Sequence, residues 1–177
     1  RQRRAARRTA WLYWLICDIV LMRKFLLFLM LITLAGLAQA EQARPIAVIM
    51  QNDEEASKLA AEELSLIYWR KKQYWQGGLR IHPVNLHAEH PLRLNFSKVV
   101  LGSLPATQTN YWNGLYFHGT TPPYSVQSEE AVIRFVANTK GAIGYVDACK
   151  VDARVNAVLW INDNKLSTTK PTLDCGI

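Results

Sequence analysis

Apolar and polar residues are arranged in blocks that predict strands and helices in turn. The run IAVIM at Ile46–Met50 is continuously apolar and rich in branched side chains, which is typical of a buried strand. Residues 79–84 alternate between apolar and polar and predict a short second strand. Two more apolar runs, at 142–146 and 157–161, predict strands near the end of the chain. The last dozen residues are polar and are expected to be loose.

Helical spacing of apolar residues predicts helices between these strands. Such spacing covers residues 54–68, and a second stripe begins at Pro91, a residue favoured at the first helical position, and stops at Gly102. A third helix is expected over 107–115, and Ser128 is expected to cap a fourth. Loops are expected at 85–90 and 119–125, and Gly141 fits the turn that ends the fourth helix. Strand and helix alternation predicts an α/β domain.

The N-terminal residues have the pattern of a secretory signal. Residues 22–40 combine a positive start, a short apolar run over 25–37 and the small-x-small sequence AQA before Glu41. This predicts a signal peptide at 22–40, cleavage near Ala40, and an exported, periplasmic domain at 41–177. Residues 1–21 are surplus to that signal and are interpreted as an upstream extension. The rival interpretation is a genuine basic extension with an uncleaved anchor.

Charge is distributed unevenly along the chain. The net charge is +7, of which residues 1–40 carry +6 through seven basic residues and one acid, which leaves +1 for the rest. A nucleic-acid-binding fold needs a basic face, and a nearly neutral domain does not predict one. Two cysteines lie outside the predicted signal, Cys149 and Cys175. In an oxidising compartment they either pair or stay as free thiols, and the sequence leaves both open.

Three stretches carry a family pattern. Residues 64–77 are similar to L-x-x-I-F-x-G-K-x-x-x-W-x-D-G, and residues 93–102 are followed by Tyr111-Trp112. The third stretch has Pro122-Pro123 and Ser128 and ends in GAIGYV at 141–146. In order and spacing these resemble the phosphate-binding proteins of ABC importers over about residues 46–147. The resemblance implies a shortened domain of the type 2 periplasmic binding fold, a phosphate-like oxyanion as ligand and a membrane transporter as partner.

The resemblance also directs attention to one helix start. Family members hold phosphate with Ser-Gly-Thr at a helix N-terminus, and the matching residues here are His90-Pro91-Leu92. Pro91 lacks the backbone N–H that an anion site would use, so charge would have to come from elsewhere. The candidate ligand-binding residues are spread over three segments: His90, Arg93, Ser125, Thr139, Lys140 and Gly141. Thr121, in the Pro-Pro loop, is a further hydroxyl donor.

Other functions are weighed against this one. The sequence has none of the common catalytic or nucleotide-binding motifs, so we expect no catalysis and no cofactor. The alternative function is an exported interaction module that docks a membrane sensor or transporter, which an exposed apolar strip with Trp69, Trp75 or Tyr116 would favour. A weaker alternative is metal handling by His82, His87 and His90, although the sequence offers no full ligand set and we expect no metal.

Overall fold

A computed structural model describes residues 44–51 and 59–176, together with Lys24. The predicted signal peptide at 22–40 and the extension at 1–21 therefore lie outside the described residues, apart from Lys24. So do residues 54–58 of the first predicted helix. Within the described residues, no helix combines the length and the apolar character needed to cross a membrane.

One mixed sheet organises the described residues. Its strands stand in the order β3-β2-β4-β1-β5-β6, and the first three of these run parallel to each other. β1 is antiparallel to both of its neighbours, and β5 and β6 form a hairpin. The strands are β1 (Ile46–Met50), β2 (His82–Leu86), β3 (Tyr124–Val126), β4 (Ala142–Asp147), β5 (Asn156–Asn162) and β6 (Lys165–Ser167).

Helices cover both faces of this sheet. They are α1 (Ala61–Tyr68), α2 (Pro91–Phe96), which continues as a wider π-helical segment (Ser97–Leu101), α3 (Thr109–Tyr116) and α4 (Glu129–Asn138). Gly144 and Tyr145 of β4 point to opposite faces, as neighbouring strand residues do. A Cβ atom at Gly144 would overlap Val132 of α4, so α4 lies directly on the strand. On the other face the Tyr145 ring stacks on Phe96 of α2, with centroids 3.9 Å apart.

Most of the predicted elements are confirmed. β1 is fully buried and has the predicted bounds. Pro91 opens α2, and Gly102 ends the helical segment with a left-handed φ of 62°. The Ser128 side chain accepts a hydrogen bond from the Ala131 N–H at 3.2 Å and so caps α4, as predicted.

Strand bounds in three places differ from the prediction. β2 lies three residues later than predicted at its start, so Asn85 and Leu86 belong to a strand and not to a loop. β3 lies at the end of the segment expected to be a loop, where it pairs with β2 at the sheet edge. β6 lies in the segment that was expected to be loose. Both missed strands have three residues, too few for a periodic pattern to be visible.

The C-terminal residues are tied to the end of β4. Cys149 lies in the short 3₁₀ turn after β4, and in the structure it forms a disulfide with Cys175. Of the two alternatives that the sequence leaves open, the structure has the bridge. The segment after β6 therefore returns to the edge of the sheet where β4 ends.

Candidate functional site

The parallel strands give the sheet two chemically distinct edges. Because β2, β3 and β4 run in one direction, their carboxyl ends lie together, and we call this side the carboxyl edge. It includes the segments 87–90, 127–129 and 147–150. Their opposite ends form the amino edge, with the segments 80–82, 121–124 and 139–142. In open α/β sheets, ligands bind outside the carboxyl ends of the strands, so the carboxyl edge is the first place to examine.

Arg93 is the exceptional side chain at the carboxyl edge. It lies in the first turn of α2 and is only 7% exposed. Its Nε and Nη1 atoms are buried and have no hydrogen-bond partner among the described residues. Ser97, one helical turn further on the same face, has a buried Oγ in the same condition. Two buried polar groups without acceptors or donors, side by side, are rare in a folded protein.

The charge of Arg93 acts on two buried tyrosine hydroxyls. Burial raises the pKa of Tyr145, and the positive charge of Arg93 opposes part of that rise. The pKa of Tyr68 is likewise raised by burial, and Arg93 again acts in the opposite direction. Both hydroxyls are therefore neutral donors at ordinary pH. Tyr145 donates to Oδ1 of Asn85 at 3.2 Å, while Tyr68 donates to the backbone oxygen of Val84 at 3.1 Å.

His90 serves the helix itself. It is the N-cap of α2, and its Nδ1 accepts a hydrogen bond from the Leu92 N–H at 3.2 Å. Because Pro91 has no N–H, the first donors of the helix are absent or already used. Burial lowers the pKa of His90, and the carboxylate of Glu129 opposes part of this effect. His90 is thus a neutral helix cap at the carboxyl edge.

Acidic residues at the carboxyl edge are matched by partners. Glu129 is 8% exposed, and its Oε2 accepts from the Asp147 N–H at 2.6 Å. Its Oε1 accepts from Nζ of Lys150, also at 2.6 Å. Asp147 in turn accepts from Nη1 of Arg44 at 3.3 Å. The carboxylates are thereby neutralised locally, and Arg93 takes no part in these pairs.

The structure does not bring all the predicted site residues together. His90 and Arg93 lie at the carboxyl edge. Thr139, Lys140 and Gly141 precede β4 and so lie at the amino edge. Ser125 is exposed on β3, where it pairs in register with Asn85. The parallel arrangement of β2 and β4 explains the separation, because a residue after one strand and a residue before the other lie at opposite ends.

Gly141 has a structural role at the amino edge. Its backbone oxygen accepts from the His82 N–H at 3.0 Å and from Nε1 of Trp75 at 3.2 Å. Its φ is 74°, and a Cβ atom there would overlap the backbone oxygen of Arg80. The residue therefore joins the turn before β4 to the start of β2. This supports the expected backbone role of Gly141, although at a turn three residues beyond the end of α4.

The aromatic and histidine candidates also separate. Trp75 is buried, and Trp69 is half-buried against Tyr111, with ring centroids 4.5 Å apart. Tyr116 is 66% exposed and adjoins Phe117, which is 85% exposed. Among residues 44–51 and 59–176, no three His, Cys, Asp or Glu side chains converge as a metal site requires.

Sequence reasoning missed several residues at these edges. Asn85, Tyr145 and Glu129 contribute to the carboxyl edge, but none belongs to a recognisable motif. Their signal was positional: the first two lie at or near the ends of parallel strands, and Glu129 opens the helix after β3. Arg70 and Arg80, at the amino edge, are not among the predicted site residues: Arg70 follows the first predicted helix, and Arg80 lies in the predicted strand 79–84.

Comparison with known proteins supports the fold. The sequence matches no protein-family model and no curated protein. A Clostridium perfringens structure, described as a phosphate ABC transporter substrate-binding protein with bound phosphate, matches 66% of this chain with a TM-score of 0.52 and 20% identity. An ABC-type phosphate transport receptor from Vibrio cholerae matches 66% of the chain with a TM-score of 0.48 and 17% identity.

The chain also covers only part of each matched structure. The chain spans 45% of the first structure and 46% of the second, so it corresponds to less than half of either. The first likeness shows that the described residues have the α/β fold of part of a substrate-binding protein, which confirms the predicted fold class. The two structures are described as a substrate-binding protein and a transport receptor.

Proposed function

We propose that this chain is an exported solute-binding domain that takes up a small oxyanion, such as phosphate, at the carboxyl edge and performs no catalysis. The observation that carries the proposal is the buried guanidinium of Arg93, whose Nε and Nη1 have no partner among the described residues. Charged side chains are almost never fully buried unless they are paired. An oxyanion supplies the missing charge and acceptors.

The chemistry around Arg93 suits such a ligand. A guanidinium binds carboxylate or phosphate oxygens with two parallel hydrogen bonds, from Nε with Nη2 or from Nη1 with Nη2. The two unpartnered nitrogens of Arg93 each belong to one of these pairs. Oδ1 of Asn85 is already used by Tyr145, which leaves the Asn85 amide nitrogen as a neutral donor. Ser97 adds a hydroxyl on the same helix face. Since the helix start at His90 is capped internally, this site would grip the anion through side chains.

Location and partner follow from the same proposal. The predicted signal at 22–40 would deliver the domain to the periplasm, where a membrane transporter would receive its ligand. The structural neighbours are described as phosphate ABC transporter proteins, which supports this assignment of partner. Because the chain spans less than half of such a protein, it would supply one side of the cleft that holds the solute.

A calorimetric and thermal comparison of Arg93→Met with the natural chain tests the proposal. Methionine keeps much of the volume and removes the buried charge, so the ligand-free variant should melt at a higher temperature. The natural chain should bind phosphate and gain thermal stability from it, and the variant should lose the tighter part of this binding and most of the stability gain. Arg134→Met is the matched control, since the Arg134 side chain is 66% exposed on α4. Equal phosphate binding by both variants and the natural chain would contradict the proposal.

A second function is favoured by one observation. Tyr116 and Phe117, at the end of α3, are exposed by 66% and 85%, and α3 has no buried residue. Large aromatics in such a position are enriched at protein interfaces. In this alternative the domain docks a membrane sensor or transporter through α3 and needs no ligand of its own.

The alternative can be tested in cells that export the chain. A photo-crosslinking residue at Phe117 should capture a membrane protein, whereas the same residue at Asn113, an exposed polar position of α3, should capture much less. Equal labelling at both positions, or none at Phe117, would argue against docking through this helix.

A further inference from the structure

A cavity at the amino edge has the composition of a second anion site. It has a volume of about 420 Å³ and lies where β2 and β3 begin, on the side of the sheet away from Arg93. Three basic side chains line it, those of Arg70, Arg80 and His82, and Thr121 adds a hydroxyl. None of its lining residues, all within the described part of the chain, is acidic.

Arg70 is held in the cavity wall by an unusual backbone. It follows α1 at the position where helices commonly end on a left-handed glycine, and its φ is 59°. Two hydrogen bonds define this helix end, from the Arg70 N–H to the Ile67 oxygen at 2.9 Å and from the Lys71 N–H to the Leu66 oxygen at 2.8 Å. A glycine would adopt this conformation without the steric cost that an arginine bears. Strained residues of this kind concentrate at functional sites.

The Arg70 side chain is only partly satisfied. Its Nη1 donates to the backbone oxygen of Ile81 at 3.4 Å, which fixes the guanidinium beside the start of β2. Its Nε is buried and has no partner among residues 44–51 and 59–176. One terminal nitrogen of the guanidinium is thus anchored, and the Nε donor on the same group is unused.

The basic groups of the cavity repel one another. Burial lowers the pKa of Arg70, and the neighbouring charge of Arg80 lowers it further. Burial also lowers the pKa of His82, and the positive charges of Arg80 and Arg70 lower it further. A bound anion would relieve this repulsion, and it would bind more tightly for the same reason.

The opposite wall of the cavity is apolar and aromatic. Tyr124 and Phe135 line it with ring centroids 5.8 Å apart, and Pro122 and Pro123 complete it. Inorganic phosphate would leave this wall uncovered. A flat organic group can lie against an aromatic ring in offset or edge-to-face contact.

We propose that this cavity binds a small organic oxyanion, with the anionic group held by Arg70 and Arg80 and a flat apolar body against Tyr124. This site is separate from the one at Arg93 and does not depend on the function proposed above. Its ligand class differs too, because the cavity pairs cationic groups with an aromatic wall.

The test is titration of the full chain with phenyl phosphate, which carries both features, and in parallel with inorganic phosphate. The decisive variant is Arg70→Gly, because glycine suits the left-handed backbone and should keep the melting temperature within about 2 °C of the natural value. We expect phenyl phosphate to bind at least 10-fold more weakly to this variant. If Arg70→Gly does not fold, Arg80→Gln, at an exposed position, takes its place with the same expectation.

Control variants separate the two sites. Arg93→Met should leave phenyl phosphate binding at the amino edge unchanged, and so should Arg134→Met. Inorganic phosphate should compete for the cavity at least threefold more weakly than phenyl phosphate. The proposal is overturned by equal affinity in Arg70→Gly and the natural chain, by a loss of binding that occurs only in Arg93→Met, or by no saturable binding at millimolar phenyl phosphate.

Discussion

The two edges of the sheet differ in how their charged side chains are paired. At the carboxyl edge, Glu129 and Asp147 are buried and satisfied by Lys150, Arg44 and backbone N–H groups. The Arg93 guanidinium and the neighbouring Ser97 hydroxyl have buried atoms without a partner among the described residues. At the amino edge, Arg70, Arg80 and His82 share a cavity that no carboxylate lines. One edge is neutral with a single buried cation, and the other is open and uniformly basic.

This difference indicates which charged groups stabilise the folded chain and which do not. A buried carboxylate that accepts hydrogen bonds from both an ammonium and a backbone N–H contributes to folding. An uncompensated group of cations cannot do so, because each charge raises the cost of the others. We therefore expect substitutions at the paired groups to affect stability, and substitutions at the unpaired groups to affect binding.

The largest effect on stability should come from Gly141→Ala, which changes the turn before β4 at the amino edge. The alanine would have to hold a φ of 74° and its Cβ would overlap the backbone oxygen of Arg80. We expect a loss of roughly 3–5 kcal/mol in the free energy of unfolding, measured by denaturant titration.

Gly119→Ala is the matched control for that substitution. Its φ is 77°, but the space around its Cβ position is open, so only the backbone cost of about 1 kcal/mol should appear. Similar losses in both variants would mean that the close approach to Arg80 does not matter.

A smaller effect is expected from Glu129→Gln at the carboxyl edge. The amide would offer an N–H group where the carboxylate accepts from Asp147 or from Lys150. We expect a loss of about 2 kcal/mol in the free energy of unfolding. The neighbouring Glu130→Gln provides the control, because its side chain is 50% exposed in its pairs with Arg134 and Arg154 and exposed pairs contribute little to stability. Equal costs would remove the contrast between buried and exposed pairs.

The smallest effect is a dependence of stability on pH, with one histidine at each edge. The pKa values of His82 and His90 are lowered in the folded chain, first by burial. The unfolded chain therefore takes up protons first as pH falls below about 6.5, and the stability present at pH 8 is lost through that range. Melting temperatures should fall from pH 8 to pH 5, and less steeply in His82→Gln and His90→Gln. A flat or rising profile would contradict this.

Much of the fold could be predicted from the sequence because its signals are local. A buried apolar run marks β1, and Pro91, Gly102 and Ser128 mark helix ends through their own backbone and side-chain chemistry. The three-residue strands β3 and β6 could not be predicted, because they exist through pairing with β2 and β5. Pairing of this kind depends on residues distant in the sequence.

The candidate site was predicted less well, for a reason of topology. The sequence predicts Arg93 as a charge near a helix start, but its burial and its electrostatic effect on Tyr68 and Tyr145 depend on residues from elsewhere in the chain. Thr139 and Lys140 were grouped with it although they precede a strand and His90 follows one. The grouping needed the direction of each strand in the sheet, and β2 and β4 become parallel neighbours only through tertiary structure.

The position of β1 has a consequence for how the chain folds. Ile46 pairs with Asp147 on one side and with Ile161 on the other, so β1 is enclosed by strands that are synthesised about a hundred residues later. Contacts between such distant segments slow folding. Until β4 and β5 arrive, a wholly apolar segment has two open edges, which is the condition in which chains aggregate. During synthesis β1 is therefore exposed to pairing with other chains until β4 and β5 are made.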